Sequence, residues 1–95
     1  MSAKLENPRL DRLFEAILSL KSREECYAFF EDLCTVTELE ALQQRFQVAG
    51  LLHTGRLYAA IAAETGASTA TISRVNRSLL YGSDGYKTVL ERLGS

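Results

Sequence analysis

Apolar residues recur three and four positions apart along most of this chain, and nowhere do they settle into the strict alternation of a half-buried strand. Helix-starting and helix-ending residues interrupt that rhythm at short intervals, which confines the chain to a set of short helices, an all-α fold. Asn7-Pro8 opens the first, a capping side chain followed by a proline at the first helical position. Leu10, Leu13, Phe14, Ile17 and Leu18 give that helix one apolar stripe. Ser22 with Glu25 forms a capping box, and Cys26, Phe29, Phe30 and Leu33 make the stripe behind it. Thr37 with Glu40 reads as a second box, opening a longer helix to about His53 with Leu39, Leu42, Phe46, Ala49 and Leu52 inward. Thr54-Gly55 ends it. A short alanine-rich helix is predicted over Leu57–Glu64, another from about Thr69 to Leu80, and a last one through Tyr86, Val89, Leu90 and Leu93, closed by Gly94.

At 95 residues the chain predicts a single domain, 1–95, and 46 % hydrophobic with 24 % charged residues is an ordinary globular balance. No apolar run approaches the roughly 20 residues of a membrane helix, and Met1–Arg9 holds no apolar core of a secretory signal, so a cytoplasmic protein with no membrane partner is expected. Cys26 and Cys34 lie eight apart and form no CxxC pair, which fits free thiols in a reducing compartment. His53 has no second ligand nearby in sequence, so no metal site is predicted. No nucleophile–base–orienter set and no glycine-rich phosphate loop can be assembled; an enzyme is not expected, and no cofactor either.

The net charge of −1 hides an uneven distribution. Residues 1–40 carry nine acidic against five basic side chains, whereas residues 41–80 carry Arg45, Arg56, Arg74 and Arg77 against Glu64 alone. An acidic first part and a basic middle point to a nucleic-acid face in the middle.

That middle contains Tyr58–Arg77, which reads as two helices meeting at a tight turn, a helix-turn-helix over 56–80. Ala62 is small enough for a close crossing, Gly66 can take the left-handed backbone of the turn, and Ile72 and Val75 share an inward face. Ser68, Thr69, Ala70, Thr71, Ser73, Arg74 and Arg77 then fall at the start or on outward faces of the second helix. Small side chains there permit close approach to base edges, hydroxyls can bond phosphates or bases, and arginines can grip guanine or phosphate. The plain alternatives are that Ser68 or Thr69 simply caps the helix, and that Arg74 and Arg77 pair with Glu64 or Asp84 at the surface.

These residues resemble the tryptophan-repressor family. The likeness is strongest at Gly66-Ala67-Ser68-Thr69-Ala70-Thr71-Ile72-Ser73-Arg74, Asn76 and Ser78-Leu79, and extends back through Thr35, Ala41-Leu42 and Arg45 and forward to Leu90-Glu91. It implies six helices in an intertwined homodimer, which would bury the stripes of the first helices; 1–53 would be dimerisation helices and 84–94 the C-terminal helix. It also implies an effector pocket at Thr35, Arg45, Arg74 and Ser78, in which the two arginines bracket an aromatic ligand. Two positions depart from the family. Val75 stands where the family has a glycine and narrows that slot, which argues against tryptophan as the effector. Ala59 and Ala62 stand where the family's first motif helix is basic.

The expectation is a sequence-specific transcriptional regulator, of the repressor kind, that sets the helix beginning near Thr69 into the major groove of double-stranded DNA as a homodimer, with a small-molecule effector in reserve. The competing reading is a helical protein-interaction module that has lost DNA binding.

Overall fold

The computed structural model describes residues 6–94; the remaining ends of the 1–95 range lie outside the described residues. Among them are six helices and no strand: α1 Pro8–Leu18, α2 Arg23–Leu33, α3 Val36–His53, α4 Tyr58–Thr65, α5 Thr69–Tyr81 and α6 Gly85–Arg92. Among the described residues no helix is long and apolar enough to cross a membrane.

The caps fix most boundaries. Asn7 Oδ1 accepts from the Leu10 amide at 2.8 Å, and Ser22 Oγ accepts from the Glu25 amide at 3.1 Å, each satisfying a first-turn N–H that the helix itself leaves open. At α3 the sequence reading was one pair too late. Thr35 Oγ1 accepts from the Glu38 amide at 3.1 Å while Glu38 Oε1 accepts from the Thr35 amide at 2.8 Å. This reciprocal box starts the helix two residues before the Thr37–Glu40 pair could. These bonds hold the Glu38 carboxyl below the usual carboxylate range, the backbone donor of Thr35 contributing most. At the other end, Gly55 (φ 86°) turns the chain so that the Arg56 amide reaches the Leu51 carbonyl at 3.1 Å and the Gly55 amide reaches that of Leu52 at 3.0 Å. Such a paired C-terminal closure needs a left-handed residue, and glycine supplies it without strain.

The chain divides into two compact units, one up to Leu39 and one from Glu40 onward, so the division falls inside α3. In the first, no residue of α1 or α2 is buried. Phe29 and Phe30 meet edge to face at 5.6 Å, yet Phe14, Leu18, Tyr27, Leu33 and Val36 are exposed, Leu18 by 83 %. In the second, Val48 and Ala49 of α3, Ile61 of α4, Ala67, and Ile72 and Val75 of α5 form a closed core, with Leu51, Leu52, Ala62 and Tyr86 against it. The expected inward stripe of α3 is thereby corrected. Leu42 and Phe46 remain exposed, and the neighbouring Val48 joins Ala49 inside, because the smaller side chains sit where α3 meets the buried isoleucines.

Candidate nucleic-acid interface

The turn between α4 and α5 is built from hydrogen bonds as much as from glycine. Gly66 takes φ 72° and ψ 5°, and its amide reaches the Ala62 carbonyl at 2.9 Å. Thr65 Oγ1 donates to the Ile61 carbonyl at 2.7 Å and accepts from the Ala67 amide at 3.1 Å. Gln44, from α3, donates to the Thr65 carbonyl at 3.3 Å. Ala67 is buried just beyond. The turn is therefore held from three sides, and α5 leaves it in a fixed direction. Sequence reasoning placed the break at Thr65–Ser68 and singled out Gly66, but passed over Gln44, whose partner lies 21 residues away.

Along α5, Ile72, Val75 and Leu79 are buried, on positions three and four apart. The opposite surface carries Ser68, Thr69, Ala70, Ser73, Arg74 and Arg77, all exposed, with Thr71 half-buried beside them. Ser68 is the N-cap: its hydroxyl accepts from the Thr71 amide at 3.1 Å and donates to Thr71 Oγ1 at 3.1 Å. Of the two candidate caps it is Ser68 that serves, and the Thr69 hydroxyl makes no hydrogen bond to another described residue.

Neither acidic side chain that could have neutralised this face reaches it. Glu64 pairs with Arg56 at 3.1 Å, and Asp84 with Lys87 at 3.9 Å. Arg74 and Arg77 form no ion pair with any described residue. They border, with Ser73, a shallow recess of about 260 Å³ on the outward side.

A second recess, of about 290 Å³, lies between α3, α5 and α6, lined by Arg45, Thr71, Arg74, Val75, Ser78 and Tyr86. Three of the four residues expected in an effector pocket, Arg45, Arg74 and Ser78, thus meet in one cleft. Thr35 belongs to the first unit, where its hydroxyl caps α3. Tyr86, which the sequence suggested as a packing residue, lines the cleft as well as the core; nothing local in the sequence pairs it with α5. Val75 is only 3 % exposed, so its side chain is committed to the core and presents little more than an edge to the cleft floor. Among the described residues no three His, Cys, Asp or Glu side chains gather as a metal site would require. Cys26 and Cys34 are free thiols.

Comparison with known proteins settles the ancestry of this arrangement. The family model described as Trp repressor protein matches residues 8–94. The chain belongs to the Trp repressor family. An uncharacterized protein of Bacillus subtilis, YerC, is 57 % identical over 90 residues, covering 95 % of this chain and 86 % of that protein. A solved structure of a candidate Trp repressor from Staphylococcus aureus superposes with a TM-score of 0.92 at 57 % identity, covering 96 % of this chain and 91 % of the other. A TrpR-like protein from Eubacterium eligens gives 0.93 at 59 %, covering 98 % and 96 %. The six helices are thus those of Trp repressor-like structures, and the family is one of DNA-binding regulators rather than of enzymes.

Proposed function

We propose that this protein is a sequence-specific DNA-binding transcriptional repressor that acts as a homodimer and sets α5 into the major groove. One observation carries the reading. The helix is anchored from behind by Ile72, Val75 and Leu79 while Ser68, Thr69, Ala70, Ser73, Arg74 and Arg77 stand exposed, and both of its arginines are free of acidic partners among the described residues. Thr71 braces the helix start through Ser68. A helix offered in this way, with small residues at its N-terminal end and guanidinium groups further along, suits base-edge and phosphate contacts together. The homodimer is supported by α1 and α2, in which no residue is fully buried in one chain while Phe14, Leu18, Tyr27 and Leu33 are exposed. Apolar surface of this extent is seldom left open, and a second copy covers it symmetrically. The effector pocket is assigned to the cleft of Arg45, Arg74 and Ser78, with Thr35 added on the family resemblance alone.

Selection from a randomised duplex library with the purified protein tests the reading. The expected product is a palindromic site with half-sites about one helical turn apart or a multiple of it. Arg74→Ala and Arg77→Ala should each weaken binding to that site. The loss is about 1–3 kcal/mol where the arginine reads guanine, and a shallower salt dependence where it holds phosphate. Wild-type affinity in both variants refutes the assignment of α5. Failure to enrich any sequence, with no salt-dependent affinity for duplex DNA, favours instead a protein-interaction module, a reading to which the uncharged Ala59 and Ala62 of α4 lend support.

A further inference from the structure

Arg74 is common to two recesses. It closes the outward one with Ser73 and Arg77, and it lines the cleft with Arg45, Thr71, Val75, Ser78 and Tyr86. One guanidinium on a flexible stem cannot serve both sides fully at once. What the cleft would hold follows from its lining. Two guanidinium groups supply only charged donors, the hydroxyls of Thr71 and Ser78 and the phenol of Tyr86 can each donate a further hydrogen bond, and no carboxylate is among the described lining residues. The sole aliphatic contribution is Val75, which is turned into the core. Neither cleft arginine has an ion-pair partner among the described residues. Two guanidinium groups with further donors beside them and no carboxylate opposing them are what a small oxyanion needs.

We propose that the cleft binds a small divalent oxyanion between Arg45 and Arg74, and that this anion releases the protein from DNA rather than fastening it. The inference rests on the DNA-binding reading given above. The anion draws the Arg74 guanidinium toward Arg45, away from Ser73 and Arg77, so that the outward face loses one of its two free positive charges. Ligand and DNA then compete for the same side chain, and the coupling is reciprocal: DNA must weaken the anion by the factor by which the anion weakens DNA.

The test uses the full-length protein with inorganic phosphate and malonate as probes, L-tryptophan as the aromatic comparison and chloride at matched ionic strength as the control for simple screening. Calorimetry on the free protein reads anion binding, and anisotropy with the selected duplex reads DNA binding. Phosphate or malonate should bind the free protein, weaken DNA binding about fivefold or more beyond the chloride control, and bind less tightly to the DNA complex by the same ratio. In Arg45→Ala the ratio of DNA affinities with and without anion should fall to one, whatever its basal affinity. Absence of anion binding to the free protein overturns the proposal, as does binding that leaves DNA affinity unchanged or tightens it, or L-tryptophan binding the cleft more tightly than either anion. Anion binding by a protein that binds no DNA refutes the functional reading, and the antagonism falls with it.

Discussion

Single side chains do much of the placing in this protein. The Thr35–Glu38 box shows how far an exposed pair can matter. Because the folded-state value of Glu38 lies below the ordinary carboxylate range, its contribution is present at pH values above that range and disappears as the pH drops through the depressed value. A Glu38→Ala variant should therefore melt below the wild type at neutral pH, and the difference should narrow on acidification; thermal melts across pH 3–7 measure it. A gap that stays constant with pH would mean that the carboxylate charge plays no part. The same pair marks a limit of sequence reading. Thr35-Val36-Thr37 offers two threonines, each with a glutamate three residues on, and spacing alone does not rank them. The earlier pair prevails because a cap placed further out adds helical hydrogen bonds before the chain turns. Asn7 and Ser22 had no competitor and were legible at once.

At the level of elements, α5 is the piece on which the proposed function depends, and glycines secure both of its ends in different ways. Gly66 needs its positive φ, but a Cβ there would meet nothing within 4 Å. Gly82 has a negative φ, yet a Cβ would come within 2.3 Å of the Ser78 carbonyl oxygen, a backbone atom that cannot step aside. Gly66→Ala should thus lower stability by about 1 kcal/mol through backbone strain alone, and Gly82→Ala should lower it more by forcing the last turn of α5 to open. Chemical denaturation of both variants gives the order, and equal losses would contradict this account. Periodicity predicted the existence and inward face of α5 because its stripe is buried by elements of the same chain. It misjudged α3, where Leu42 and Phe46 share the apolar spacing yet remain exposed while Val48 is enclosed. The period of a helix is written in its own residues; the neighbour that will cover each face is not. The cleft was legible only in part for the same reason, since Tyr86 arrives there from a helix that begins after the motif ends.

For the whole molecule, the division inside α3 separates a unit with no buried residue in α1 or α2 from one with a closed core. A chain of this kind should gain stability from self-association, so its melting temperature should rise with protein concentration. The double variant Leu18→Glu/Leu33→Glu should sediment at the mass of one chain and lose that dependence; a wild type already of one-chain mass at micromolar concentration would exclude the homodimer. Charge sets a second condition on the assembled molecule. The net charge of one chain is only −1, and among residues 41–80 the one carboxylate, Glu64, is occupied by Arg56. The ion pair is nearly half exposed and adds little to stability. Its weight lies in masking: without Arg56, a bare negative charge would sit on α4, the helix that leads into the turn before α5. On the proposed function, Arg56→Ala should weaken duplex binding although the fold survives, and adding Glu64→Gln in the same molecule should restore it, as salt-titrated anisotropy of the two variants would read, placing control of the approach of a polyanion in an arginine with no assigned contact to it.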